Sequence, residues 1–279
     1  MSDKAAQYSK SSKAQRFWNR ALLDSIPWPK TGCRVVDIGC GTGETTRALV
    51  AERDGVEGVV AFDKAPDRIS FAERHCSHEK IVYGVADIAV ASTLEVEWMA
   101  GAFTRALALH VFHWVQDQEA ALANVSSMLA PGGDMLLCMG VRIPRAFEYV
   151  KEEIVRDARW TAFVSESDAQ WRHNKTWDRK NETWRYPDPA SGYRKLCENA
   201  GFDVAKCDVG AYEYEYESKA ECRGMLEYLL PYTAKIPKEL AEEYGEEVYR
   251  LYESKARKSE SGRIMWDAQF LVVHGKKKT

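Results

Sequence analysis

The sequence lacks a cysteine framework. Its seven cysteines, Cys33, Cys40, Cys76, Cys138, Cys197, Cys207 and Cys222, are odd in number, scattered and never spaced CxxC, which fits reduced thiols and argues against disulfide staples. No segment approaches the roughly 20 apolar residues of a membrane span, and the opening MSDKAAQYSKSSKAQ has no apolar core for a signal peptide. The reading is therefore an intracellular, cytoplasmic protein without a membrane partner. Charge of one sign is lacking as well: a net charge of −3, with no basic arm beyond the short KKK at Lys276 to Lys278, gives no general attraction to nucleic acid. Nor does the pair His75 and His78 around Cys76 make a metal site, since no second ligand cluster lies nearby and the segment reads as a helix end.

The remainder is an ordinary globular composition, 45% hydrophobic and 29% charged, in a chain of 279 residues without repeats or low-complexity linkers. Its most informative stretch is Arg34 to Val50, RVVDIGCGTGETTRALV. Val35, Val36 and Ile38 are the β-branched run of a strand buried on both faces. Glu44 to Val50 restarts as a helix behind Thr42 as a candidate N-cap, and Gly39, Gly41 and Gly43 lie between. A dinucleotide fingerprint would need glycine at position 44, where the chain has Glu44. A carboxylate in the first helical turn would repel a pyrophosphate, and Asp37 adds negative charge beside it. The loop therefore suits a cationic ligand without phosphates, such as S-adenosylmethionine.

Around this loop the chain alternates apolar runs with amphipathic stretches. A helix from Ser12 to Ser25 carries the stripe Ala14, Phe17, Trp18, Ala21 and Leu22 and ends at Pro27 and Pro29. Strands follow at Gly58 to Asp63, Ile81 to Asp87, Phe103 to Leu109 and Met135 to Gly140. They are separated by helices at Ala65 to Cys76, near Ser92 to Met99 and at Gln116 to Leu129, then by the turn Ala130 to Gly133. Such a βα series predicts an α/β, doubly wound, mostly parallel sheet, with the ligand crevice at the carboxyl ends of the strands. Beyond Gly140 the pattern changes. Residues 142 to 186 read as a helical segment with Trp160, Trp171, Trp177 and Trp184, a composition suited to a cap with an aromatic underside, although for any single tryptophan packing between helices is the stronger reading. A helix at Asp188 to Gly201, a strand at Asp203 to Tyr216, a second helical insert from Ser218 to about Lys258 and a last strand at Trp266 to His274 complete seven strands. The expectation is one domain, 1 to 279, with cap insertions near 142 to 186 and 218 to 258.

Three acids fall at or near predicted strand ends. Asp63 lies 20 residues after Gly43, where an acid accepts both hydroxyls of an adenosine ribose. Asp87, or the backbone N–H of Ile88, is placed to read an adenine edge. Asp37 belongs to the glycine loop.

VVDIGCGTG, AFDKAP, VADI and LAPGGDMLL together resemble the class I S-adenosylmethionine-dependent methyltransferases, which are Rossmann-like, and the resemblance covers about the whole chain. HWVQDQEAALANVSSMLAPGGDMLL, Arg159-Trp160 and AQRFWNRAL are more narrowly similar to the arthropod juvenile hormone acid methyltransferases. That family methylates a terpenoid carboxylic acid such as farnesoic acid in juvenile hormone biosynthesis. The resemblance implies S-adenosylmethionine contacts at Asp37, Gly39, Cys40, Gly41, Gly43, Asp63, Lys64, Asp87, Ile88 and Leu109. It further implies that Gln15 and Trp114 hold the substrate carboxylate, with His113 and Trp18 bordering the substrate. The run RALALHVF before HWVQ departs from the serine-phenylalanine-tyrosine type of the relatives, so the particular acid stays open.

The chemistry is consistent with this reading. A carboxylate with a pKa near about 4.3 is ionised at neutral pH and needs alignment and dehydration, not a general base. His110 and His113 accordingly read as pocket or packing residues, unless the acceptor is a phenol or an amine, for which either could serve as general base. A methylase of polycarboxylates such as trans-aconitate is also compatible with the sequence, since Arg142, Arg145, Arg156 and Arg159 are available to it, and so is a non-catalytic cofactor-binding protein of the same fold. A nucleic-acid methyltransferase is disfavoured, because LHVFHW stands where NPPY or DPPY is usual.

Overall fold

The computed structural model describes residues 5, 6, 9, 12–164, 188–230 and 232–279, together with the backbone of 177, 178, 183 and 184. Its centre is β1, Cys33–Ile38, flanked by β2 (Val56–Asp63) and β4 (Phe103–Leu109). With β3 (Ile81–Val85), β5 (Leu129–Arg142), β6 (Phe202–Glu215) and β7 (Met265–Lys277), it forms a seven-stranded sheet of order 3-2-1-4-5-7-6. The first five strands run parallel, whereas β7 is antiparallel to both neighbours. This is the doubly wound, mostly parallel sheet that the sequence predicts.

Strand alternation explains the two layers. Val35 and Val36 are adjacent and both fully buried, but they feed separate cores on opposite faces. Val35 joins Trp18 and Leu22 of α1 (Lys13–Asp24), and that core continues through α4 (Arg145–Ile154), α6 (Lys219–Leu229) and α7 (Ala241–Lys255). Val36 joins Leu122 and Val125 of α3 (Gln118–Met128) and Tyr193 and Cys197 of α5 (Pro189–Asn199). A further helix, α2 (Pro66–His75), links β2 to β3.

Several local expectations are corrected. Thr42 does not cap a helix; its hydroxyl donates to the Glu44 carboxylate at 2.6 Å, a charge-assisted bond stronger than a neutral cap. The helix behind it widens to π-type over Thr46–Ala51. Strand β3 stops at Val85, so Asp87 lies in the following turn, where its Oδ1 accepts the Ala89 N–H at 3.0 Å. The helix expected near Ser92 to Met99 shrinks to a 3-10 turn at Ala91–Thr93. There the Thr93 hydroxyl bonds the Asp87 and Val90 carbonyls, and such side chain to backbone bonds compete with a helix. Ala130 to Gly133 do not precede β5 but bulge its start, with the register slipping between the Phe103–Leu129 and Arg105–Asp134 pairs.

Segment 142 to 186 is only partly helical. After α4 the chain turns through residue 164, and Trp177–Asp178 pairs antiparallel with Thr183–Trp184, as aromatic and β-branched residues favour. Trp160 is buried edge-on against Tyr244 of α7 at 5.3 Å, so it packs the turn after α4 onto α7 and borders neither of the two cavities described below. Trp171 and the side chains of Trp177 and Trp184 lie outside the described residues. Between 218 and 258, 3-10 turns at Thr233–Lys235 and Lys238–Leu240 separate α6 from α7.

At the amino ends of β4 and β5, away from the predicted crevice, Arg105 donates to both Asp134 oxygens at 2.7 and 2.6 Å and lies 4.5 Å from the Trp28 ring. Burial alone would raise the Asp134 pKa, but the hydrogen bonds from Arg105 and His274 outweigh it and hold the carboxyl below its ordinary 3.8. The depressed value means that its stabilising contribution is present above pH 3.8 and lost as the pH falls through the lower folded value. Asp134→Ala leaves a buried guanidinium without its carboxylate and is expected to cost about 3 to 5 kcal/mol in urea unfolding at pH 7.

Candidate active site

Asp63, at the end of β2, fixes the loop after β1. Its Oδ2 accepts the Gly41 N–H at 3.1 Å and its Oδ1 accepts the Ala65 N–H at 2.9 Å. A carboxylate has about four lone-pair sites, so both oxygens retain acceptor capacity. The carbonyl of Phe62 takes the N–H groups of Gly39 and Cys40 at 2.7 and 3.0 Å. Gly39 has φ +67°, and a Cβ there would collide with the Val111 side chain.

A cavity of about 520 Å³ opens at the carboxyl ends of the strands. One end is bordered by Gly39, Asp63, Lys64, Asp87 and Ile88. The opposite walls carry Trp18, Trp266 and Phe270, together with Phe147 of α4 and Met225 of α6. Trp266, Ala268 and Phe270 all face it from β7, the period-two face of a strand. A smaller, polar cavity of about 30 Å³ adjoins it, lined by Arg16, Asp37, Cys40 and Glu44 among others. Gln15, Gly39, Leu109 and His110 border both cavities.

The smaller cavity offers groups complementary to an α-amino acid zwitterion, a guanidinium for a carboxylate and acidic side chains for an ammonium. The Glu44 Oε1 atom is buried there without a hydrogen-bond partner, and the Asp37 carboxyl receives the Thr46 hydroxyl at 2.6 Å. Burial pushes the Asp37 pKa up to about 7, the Thr46 bond opposing the rise and the charge of Asp63 adding to it. Burial and the neighbouring Asp37 and Asp63 charges also hold the Cys40 thiol well above its usual range. These residues and the Asp63 carboxylate suit the methionine and ribose parts of S-adenosylmethionine.

Most residues expected at the site do converge. Gln15, Trp18, Gly39, Asp63, Lys64, Asp87, Ile88, Leu109, His113 and Trp114 border the larger cavity, and Asp37 and Cys40 the smaller one. Gly41 and Gly43 are not among the lining residues of either. Gly43, with φ +82°, lies where a Cβ would come within 2.6 Å of the Tyr83 hydroxyl, so it permits close packing behind the loop. Trp18 uses its indole N–H on the Glu213 carbonyl at 3.0 Å and presents apolar surface. His113 Nδ1 accepts the Gly140 N–H at 3.3 Å, and its ring lies 5.4 Å from that of Trp114.

Sequence reasoning missed Arg16, Arg68, Lys151 and Tyr228. Arg68 lies 3.6 Å from Asp63 and donates to the Tyr228 hydroxyl of α6 at 3.0 Å, joining the second insertion to the carboxylate of the loop. Lys151 is buried on α4 beside Glu148 at 3.1 Å. No local motif marks these residues, since tertiary packing brings them to the cavity. Of the four candidate pocket arginines, Arg142 and Arg145 line the cavity, whereas Arg156 and Arg159 pair with Glu153 and Asp157 on the surface.

A family profile described as a methyltransferase domain matches residues 11–206. The juvenile hormone acid O-methyltransferase of Bombyx mori is 24% identical over 248 residues, covering 86% of this chain and 82% of that protein. The trans-aconitate 2-methyltransferase of Rhizobium leguminosarum is 26% identical over 267 residues, covering 94% and 93%. Among solved structures, Haemonchus contortus phosphoethanolamine N-methyltransferase 2 in complex with S-adenosyl-L-methionine superposes with a TM-score of 0.54 at 16% identity, covering 94% of this chain and 53% of that one.

The Asp37 environment carries a measurable sign. Its folded pKa of about 7 stands above the ordinary 3.8, so its contribution to stability is complete below pH 3.8 and is lost as the pH rises through 7. Asp37→Asn keeps the shape and an acceptor for Thr46 while removing the charge. In ligand-free protein it is expected to melt several degrees above wild type at pH 8, with the gap narrowing to less than half at pH 5 and closing only below pH 3.8, in thermal denaturation scans across that range.

Proposed function

The chain belongs to the methyltransferase-domain family, and from that premise we propose that it is a carboxyl O-methyltransferase acting on a small, largely apolar carboxylic acid of the terpenoid type. Its methyl donor is S-adenosyl-L-methionine, which when bound supplies an electrophilic sulfonium methyl group. In this reading Arg16, Asp37 and Glu44 hold the amino-acid part of the donor, Asp63 the ribose, and Asp87 with Ile88 the adenine. The chain acts as one domain whose insertions near 142 to 186 and 218 to 258 cap the crevice.

The observation that carries the reading is the position of Gln15 where the polar cavity meets the apolar one. An ionised carboxylate placed there needs no proton removed. The Gln15 amide and the Trp114 indole N–H orient one oxygen, leaving the other to attack. The apolar walls at Trp18, Phe147, Met225, Trp266 and Phe270 strip water from the nucleophile and accept a hydrocarbon chain. The similarity to the Bombyx mori enzyme, by its name a juvenile hormone acid O-methyltransferase, supports the same substrate class.

A second reading has its own observation. Arg142 and Arg145 line the cavity with the buried Lys151, against Glu148 and Glu152, and cationic walls suit a polycarboxylate such as trans-aconitate, the substrate in the name of the Rhizobium relative.

Turnover of farnesoic acid, trans-aconitate and a catechol by purified protein separates these readings. Farnesoic acid is expected to be preferred, with Trp114→Phe and Gln15→Ala each lowering kcat/KM by about 1 to 3 kcal/mol. Arg142→Ala and Arg145→Ala should leave that turnover within about threefold; a preference for the tricarboxylate that these arginine variants abolish would favour the second reading. Calorimetric titration with S-adenosylhomocysteine tests the donor site independently. Asp63→Ala is expected to weaken binding by at least about tenfold, since each hydrogen bond to a charged group is worth roughly 1.5 to 3 kcal/mol.

A further inference from the structure

We propose that His110 contacts the substrate directly, its neutral imidazole donating a hydrogen bond from Nε2 to the acceptor carboxylate at the junction of the two cavities. The inference rests on the carboxylic-acid reading above and assigns a contact that the Gln15 and Trp114 clamp does not include. Placement comes first: His110 follows β4 immediately and borders both cavities, as do Gln15, Gly39 and Leu109. With the donor held in the smaller cavity and the acid in the larger one, this junction is where their reacting groups would meet.

The backbone at His110 is unusual. Its φ of +61° is the only positive value at a non-glycine among the described residues, and a left-handed conformation is disfavoured for a residue with a Cβ. Surrounding contacts hold it there: its N–H donates to the Cys138 carbonyl at 2.7 Å. The ring stands edge-on to Phe270 at 4.9 Å and tilted to Trp18 at 6.2 Å. Within this aromatic box the Nε2 atom is buried without a hydrogen-bond partner, and the residue as a whole is 8% exposed. An orphaned polar atom on a strained backbone is unfavourable in a packed core, but is accounted for if its partner arrives with the ligand.

The chemistry favours a neutral donor over a charged one. An imidazolium would form an ion pair with the carboxylate and reduce its nucleophilicity, whereas a neutral N–H fixes one oxygen without neutralising it. Burial pushes the His110 pKa down to about 4, which keeps the ring uncharged at neutral pH. No base is required, because the acid is already ionised.

His110→Asn and His110→Phe separate donor from shape. Asparagine tolerates a positive φ and retains an N–H donor, whereas phenylalanine keeps ring area and loses the donor. With farnesoic acid, His110→Phe is expected to lower kcat/KM by about 10- to 150-fold, the range of a lost hydrogen bond to a charged group, while His110→Asn recovers most of it. S-adenosylhomocysteine affinity by calorimetry should stay within about threefold of wild type in both. A control for strain is His110→Gly, which relaxes the backbone but has no donor: its turnover should be low although its Tm holds, and added imidazole should raise it.

Wild-type turnover in His110→Phe, equal losses in the Asn and Phe variants, or loss of S-adenosylhomocysteine binding in His110→Asn would each overturn the contact while leaving the substrate class standing. Wild-type protein that methylates a phenol or amine but no acid would overturn both.

Discussion

The carboxylate of Asp63 is the constraint on which the rest of the site depends. It closes the strand-to-helix loop by accepting the Gly41 N–H, starts the chain toward α2 through the Ala65 N–H, and lies near Arg68, which reaches Tyr228 on α6. A single buried acid therefore ties together the loop after β1, the end of β2 and an insertion more than 150 residues away in sequence. Hydrogen bonds to a charged group are about twice as strong as neutral ones. The same oxygens retain lone pairs for ligand hydroxyls, so the group that shapes the loop is also suited to bind what the loop holds.

The two adjoining cavities divide the electrostatic work. Polar groups of both signs gather in the smaller one, where burial, with the charge of Asp63 adding to it, pushes Asp37 up to about 7. Its charge is costly until a cation arrives, which links ligand binding to proton release. The larger cavity has aromatic and aliphatic walls, where burial acts on His110 in the opposite direction. Both shifts have the same cause, loss of water around a group whose charged form is penalised, and both occur beside the boundary between the cavities.

The helices that border the larger cavity belong to the continuous core on one face of the sheet. α4 and α6 contribute Phe147 and Met225 to the walls, while the core runs from Val35 through these helices to Tyr252 of α7. α7 packs against both α4 and α6, and its Tyr244 meets Trp160 in the turn after α4. This explains how Lys151 can be nearly buried yet line the cavity: its stem lies in the packed layer and its ammonium group is held by Glu148.

The sequence by itself determined the architecture and the glycine turn after β1. Val35, Val36 and Ile38 read correctly as a strand buried on both faces, because two apolar layers demand apolar residues at consecutive positions. Glu44 at the place of a third fingerprint glycine read as an acidic loop, and it lines the smaller cavity with Asp37. Asp63 was legible as the end of β2 and Asp87 as lying near the end of β3, whereas Trp114 was reached through the resemblance of HWVQ to the family. Local competition spoiled other readings: Thr42 bonds a carboxylate in place of a helix N–H, and Thr93 shortens a helix to one turn. Only the tertiary structure decided that Arg142 and Arg145 face the cavity while Arg156 and Arg159 do not, and that Gly43 serves packing. It alone brought Phe270, Trp18 and His110 together. These residues come from the last strand, the first helix and the end of β4, and no local period encodes their meeting, because it arises from the sheet order that lays distant strands side by side.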